Sequence, residues 1–205
     1  MKNHLGRFLR EDRLRELGAA AVGENVAVHE TCVLVDLENM RFGSNVRIDP
    51  FCMLSAAGGW LTMGDFVHVA THVFVTAGSG VELCDFVGLS PGVRVFSRSD
   101  DFTGEYLTNP TVPATFTKPP ALRPVRVGRH VVVGAGTVIL PEVDIGDGST
   151  VGAGSVVTRS LDPWGIYVGS PARRVRDRSQ GLLAVEARFR ASLVAGEVVL
   201  PVSRL

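Results

Sequence analysis

From residue 127 onward an aliphatic side chain recurs every six positions: Val127, Val133, Ile139, Ile145, Val151 and Val157. Four of these are followed directly by glycine (Gly128, Gly134, Gly146, Gly152). The fifth position of each hexad is small or apolar: Val131, Thr137, Val143, Ser149, Ser155 and Leu161. An amphipathic helix needs apolar residues every three to four positions, and a half-exposed strand needs them every two. A period of six fits neither. It fits a chain that makes a short strand, turns a corner and repeats, with the aliphatic residue pointing inward and the small fifth residue filling the core beside it.

The same period runs through the N-terminal half with slips. Val22, Val28 and Leu34 form one run, followed by Phe42, Ile48 and Leu54, by Met63, Val69 and Val75, and by Leu83, Leu89 and Val95. Each run holds three hexads, which predicts a triangular coil of about 18 residues. Coils are expected to start at residues 22, 42, 63, 83, 127 and 145. Every slip falls at one corner, after the third hexad. The one long interruption, 97–124, falls there too and holds five of the eleven prolines. It reads as a loop leaving the fourth coil, and a long loop inside a compact repeat is more often functional than idle.

The predicted fold is an all-β solenoid, a parallel β-helix of about six triangular coils over residues 22–176. Residues 1–21 read as an N-terminal helical cap and residues 177–205 as a C-terminal helical tail. The cap helix is expected over 4–19, with Leu5, Phe8, Leu9, Leu14 and Leu17 apolar, and the tail helix over 182–195. Solenoid ends must be capped, which gives both helices a structural role; holding subunits together is the alternative.

Composition narrows the function. Lysine plus arginine number 21, as do aspartate plus glutamate, which argues against a broad attraction to nucleic acid or an anionic membrane. The N-terminus carries no long apolar run of the kind a signal peptide or membrane span needs. Cys32, Cys52 and Cys84 are not spaced as a metal knuckle, so a reduced, cytoplasmic protein is expected. No phosphate-binding or dinucleotide fingerprint is present.

The runs VGAGTVILPEVDIGDGSTVGAGSVVTRSL and GIYVGSPARRV resemble the C-terminal signature of the hexapeptide-repeat acyltransferases, and the resemblance spans about residues 22–176. The stretch GLSPGVRVFSRSDDFTGEYLTNPTVP is similar to sugar acetyltransferases of cell-surface polysaccharide or modified-sugar pathways. The resemblance implies a left-handed helix, a homotrimer with active sites between subunits, and acetyl-CoA as cosubstrate without a metal. It also implies a sugar or sugar-nucleotide acceptor acylated on oxygen or nitrogen. In one respect the chain departs from several relatives: they carry a catalytic histidine in the loop after this coil, whereas Ser97-Arg98-Ser99-Asp100-Asp101 contains none.

Acyl transfer needs a base for the acceptor's proton, a donor for the developing oxyanion and a groove for acyl-CoA. Five histidines are available: His4, His29, His68, His72 and His130. The VGAG segments of the fifth and sixth coils stack on the face that begins after His68, about 10–15 Å along the axis from it. His68 is therefore the expected base and His72 the second choice, while Asp100 or Asp101 is expected to orient the histidine or bind acceptor hydroxyls. Asp101, Tyr106 and Asn109 are candidates for acceptor recognition. Backbone amides around Gly134, Ala135, Gly152 and Ala153 are expected to hold the pantetheine arm; the resemblance implies that Arg159, Arg173 and Arg174, which lie where family members often place basic residues, hold the CoA phosphates. Two other readings compete. One is a metal hydratase of the γ-carbonic anhydrase type using His29, His68 and His72, which stand at unequal hexad positions. The other is a non-catalytic solenoid.

Overall fold

The computed structural model describes residues 6–120 and 123–200. His4 and Leu5, residues 121 and 122 of the loop, and residues 201–205 of the tail lie outside the described residues. The chain winds as a parallel β-helix with three faces. The first is a six-stranded sheet running from Ala21–Val22 to Asp144–Ile145, and the third is a six-stranded sheet running from Val33–Val35 to Val156–Val157. The second is nine-stranded and includes Ala27–His29, Arg47–Ile48, His68–Val69, Gly88–Leu89, Val132–Val133 and Thr150–Val151.

The register is the one that the six-residue period predicts. Val28 pairs with Ile48, Ile48 with Val69, Val69 with Leu89, Leu89 with Val133, and Val133 with Val151. Equivalent aliphatics thus stack in columns down the axis, and nearly all are buried; Val22 and Leu34, in the first coil, are only partly covered. Each fully buried Val, Leu or Ile contributes roughly 1.5–3 kcal/mol, so a one-residue slip of any coil would be strongly opposed. Six full coils are followed by part of a seventh, in which Leu161 bridges Ile145 and Gly165–Val168 pairs with Thr150–Val151.

All inserted residues lie at the corner between the third and first faces. The short 3-10 helix Leu37–Asn39 sits there, and so does the loop between Arg94–Phe96 and Val125–Val127. Close stacking at the corner between the first and second faces explains its glycines. A Cβ on Gly43 would lie 2.5 Å from the Gly64 carbonyl oxygen of the next coil.

The same corner carries Phe66, Phe86 and His130 in the left-handed region, at φ 58, 59 and 59. Such backbone costs about 1–2 kcal/mol per residue. Ring stacking offsets part of this: Phe66 and Phe86 lie 4.9 Å apart at 7°, and Phe86 and His130 4.8 Å apart at 17°. Helix α2, Leu182–Val194, docks on this ladder. Phe189 meets both phenylalanines edge-on, and Glu186 accepts hydrogen bonds from His130 and Arg129. The helix expected over 182–195 is this one.

The expectation for the N-terminus is corrected. Phe8–Leu9 is a strand antiparallel to Ala27–His29, and only Glu11–Glu16 is helical (α1). Phe8 faces the buried His29 ring at 5.2 Å, which draws this segment into the sheet edge rather than into a helix. Among the described residues no helix is long and apolar enough to cross a membrane.

Candidate functional site

On the second face, His68 stands in a file with Arg47 before it and Gly88, Val132 and Thr150 after it. Gly88 has no side chain and a Cβ there would meet nothing within 4 Å, so the flank of His68 toward the later coils is open. The His68 Nε2–H donates to Asp49 Oδ2 at 2.8 Å, since a carboxylate accepts only. Arg47 Nε donates to the other oxygen of Asp49 at 2.7 Å. Burial alone would raise the Asp49 pKa, but these two partners outweigh it and hold the carboxyl below its ordinary value. The His68 lone pair is thereby left on Nδ1. Asp49, not Asp100 or Asp101, orients His68, because it directly follows the neighbouring strand Arg47–Ile48 of the same face.

His72 lies at the next corner, with φ 60 and its ring 5.3 Å from Phe51. The Thr71 hydroxyl donates to the Pro50 carbonyl and so accepts from His72 Nδ1 at 2.8 Å, leaving the neutral ring's lone pair on Nε2. His130 is taken up by Glu186, and His29 is buried with Nδ1 against the Thr31 hydroxyl. Among the described residues no group of three or more His, Cys, Asp or Glu side chains is placed to hold a metal ion.

Beyond Gly88 the second face continues to the two VGAG turns. The expectation for their amides is corrected in part. Gly134 and Gly152 donate to the carbonyls of Val151 and Tyr167 at 2.7 Å, so the helix ladder consumes them. Ala135 and Ala153 are exposed, and among the described residues their N–H groups have no acceptor. They are the amides that a ligand can use. Arg159, Arg173 and Arg174 converge around one hollow of about 310 Å3 at the C-terminal end. Arg174 is already bound to Asp177 and the Tyr167 hydroxyl, whereas Arg159 and Arg173 are exposed, and Arg173 donates only to a neighbouring carbonyl.

A cleft of about 540 Å3 opens beneath the long loop at the corner between the third and first faces. Ser55, Thr76 and Phe96 end successive third-face strands along it, and Arg98, Ser99, Asp100 and Phe102 of the loop complete it with Leu140 and Pro141. Asp100 is exposed into this cleft. Asp101 is not: only 8% exposed, it accepts from the Thr103 hydroxyl and from the amides of Thr103, Gly104, Glu105 and Tyr106. The Thr103 hydroxyl and those amides hold its carboxyl far below the usual range. Asn109 likewise spends its side-chain oxygen on Thr111. Tyr106 lines a neighbouring hollow of about 380 Å3 with Lys118 and Glu142. Of the expected acceptor-side residues, Asp100 and Tyr106 thus face open space, while Asp101 and Asn109 shape the loop.

Within one chain His68 lies on the second face, whereas Asp100 lies in the loop that leaves the third face. Asp49, Arg98, Phe96 and Phe102 were missed by sequence reasoning. Asp49 was accessible from coil stacking, since it directly follows Ile48, the partner of Val69. The loop residues follow no period.

The profile described as bacterial transferase hexapeptide (six repeats) matches residues 124–159. A dTDP-4-amino-4,6-dideoxy-D-glucose acyltransferase of Escherichia coli is 34% identical over 187 residues, covering 91% of this chain and 97% of that protein. AntD, an N-acyltransferase from Bacillus cereus solved with dTDP and 3-hydroxybutyryl-CoA, is 35% identical with a TM-score of 0.86, over 92% of this chain and 98% of that one. The same protein has been crystallised as variants at a serine and at an aspartate ten positions apart. A galactoside acetyltransferase in complex with coenzyme A, 22% identical with a TM-score of 0.54, covers 83% of this chain and 70% of its own and shares the fold.

Proposed function

The chain belongs to the hexapeptide-repeat, left-handed β-helix acyltransferases, and from that premise we propose that it transfers an acyl group from acyl-CoA to the amine of a nucleotide-linked aminosugar. One observation carries the reading: end-to-end similarity, at 34 and 35% identity, to two proteins whose names pair an acyltransferase with a dTDP-linked aminosugar or with dTDP and an acyl-CoA.

The residues of this chain supply what the reaction needs. The pantetheine amides of acyl-CoA bind the free N–H groups of Ala135 and Ala153, and its phosphates bind Arg159 and Arg173. The acceptor enters the cleft beneath the loop, where Asp100 accepts a proton from the amine as it attacks the thioester carbonyl. The C–N bond forms, the C–S bond breaks and CoA leaves as the thiol. Ser90 and Asp100 are ten positions apart, the spacing of the serine and aspartate varied in the Bacillus cereus protein. Ser90 follows Leu89 on the second face and lies one coil before Gly134, beside the groove assigned to CoA.

A second reading keeps His68 as the base, and the Asp49–His68 hydrogen bond favours it, since an oriented imidazole with a free Nδ1 is built for proton transfer. It requires the second face of one copy to meet the loop corner of another, as a homotrimer would allow. The test is thiol release from acyl-CoA with dTDP-4-amino-4,6-dideoxyglucose, with amide formation followed by mass spectrometry. Transfer to that acceptor, and not to its 4-hydroxy counterpart, supports the reading. Release of CoA with hydroxyl acceptors only would overturn it.

A further inference from the structure

The two hollows beneath the long loop are neighbours, and Ser99 and Pro141 line both. Their chemistry differs. The first carries Asp100 and Arg98, opposite charges two positions apart in sequence that form no ion pair with each other. Neither has a side-chain partner among the described residues, so both remain available to a ligand. An unpaired carboxylate and an unpaired guanidinium in one cleft suit a molecule that is itself an ammonium at one point and an anion at another. The second hollow carries Lys118, Tyr106 and Glu142, with Pro119 and Pro120. A lysine provides a point charge for a phosphate, an aromatic ring a surface for a flat base, and a carboxylate an acceptor for ribose hydroxyls.

Resting on the acceptor reading above, we infer that the two hollows are one acceptor site in two halves: the aminosugar lies at Asp100, and the nucleoside diphosphate lies in the second hollow at Tyr106 and Lys118. Arg98, next in sequence to the shared Ser99, holds the diphosphate where the two halves join. The loop therefore carries the acceptor's whole recognition surface. Asp101, by gathering five hydrogen bonds from Thr103 to Tyr106, sets the path that puts Phe102 at the first half and Tyr106 at the second.

The experiment is calorimetric titration of dTDP alone into the unsubstituted protein and into Arg98→Gln, Lys118→Gln and Arg98→Lys. Each Gln variant should weaken dTDP binding about tenfold, which is about 1.4 kcal/mol. Arg98→Lys should recover part of the loss, and the affinity for CoA should be unchanged in all three. In steady state the Gln variants should raise KM for the nucleotide sugar with little effect on kcat. All substituted side chains are at the surface, and unchanged melting curves verify folding. If the unsubstituted protein binds dTDP and both Gln variants bind it equally well, the inference falls and the acceptor reading stands. If the unsubstituted protein neither binds dTDP nor acylates any nucleotide sugar, the acceptor reading itself falls.

Discussion

His68 Nε2 lies 2.8 Å from Oδ2 of Asp49, a residue one coil earlier in the winding, and Arg47 closes on the other carboxylate oxygen. Asp49 is mostly buried, with its side chain 16% exposed, and its pKa is lowered in the fold. A lowered carboxyl pKa stabilises the folded protein above the unfolded value near 3.9 and loses that contribution as pH falls through the folded value. Asp49→Asn should therefore destabilise the protein at pH 7 by about 1 kcal/mol, because His68 is half exposed and solvent screens the pair. The difference from the parent should shrink below pH 4, as read from denaturant titrations across pH.

Asp100 and His68 make separable predictions for catalysis. Asp100→Asn should lower kcat by about 10²–10³-fold with CoA affinity unchanged, if the carboxylate takes the amine proton. His68→Gln should then leave kcat within a few fold. The reverse pattern, measured by thiol release, would move the base to His68.

The free amides of the two VGAG turns give a backbone test. Gly136 and Gly154 have φ 68 and 66, the third position of a tight turn in which proline is accepted at the second. Ala135→Pro and Ala153→Pro should fold, remove one N–H each and weaken CoA binding by about three- to tenfold. Arg159→Ala with Arg173→Ala should weaken it further, while Arg174→Ala should mainly loosen the Asp177 and Tyr167 contacts. Calorimetry with CoA separates these outcomes.

Glu186 ties α2 to the β-helix through His130 and Arg129, and together with Arg190 of its own helix these partners outweigh burial to hold its carboxyl below the ordinary value. Glu186→Ala should release α2 without unwinding the coils. Amide exchange over 182–194 should rise by one to two orders of magnitude, equivalent to about 1.5–3 kcal/mol. The stacked core columns should remain protected. Uniform loss of protection would show instead that α2 is part of one cooperative unit with the β-helix.

Asp101→Ala should remove the acceptor for the amides of Thr103, Gly104, Glu105 and Tyr106. Proteolysis within 102–110 should accelerate, and KM for the acceptor should rise more than KM for acyl-CoA. The carboxylate is the working form, and its pKa lies far below the usual range. The loop should therefore stay ordered down to strongly acidic pH and loosen only as that lowered pKa is crossed.

The sequence by itself determined the coil. An inward aliphatic every sixth residue leaves one register in which every core column is filled, so the pairing of Val28 through Val151 and the corner holding every insertion follow from counting. The resemblance to the family, not the period, pointed to Arg159, Arg173 and Arg174, and the fold brings all three to one hollow. The tertiary structure alone decided the rest. Gly134 and Gly152 look like ligand-binding amides but are spent on the next coil, and Ala135 and Ala153 are left free. Asp101 looks like a recognition residue but organises the loop, whereas its neighbour Asp100 faces the cleft. Phe8–Leu9 joins the sheet edge that an amphipathic pattern assigned to a helix. The physical reason is shared. A core position repeats with the winding and can be read from its period, but a polar side chain's role depends on which donors and charges other coils and loops bring to its height, and no period records that.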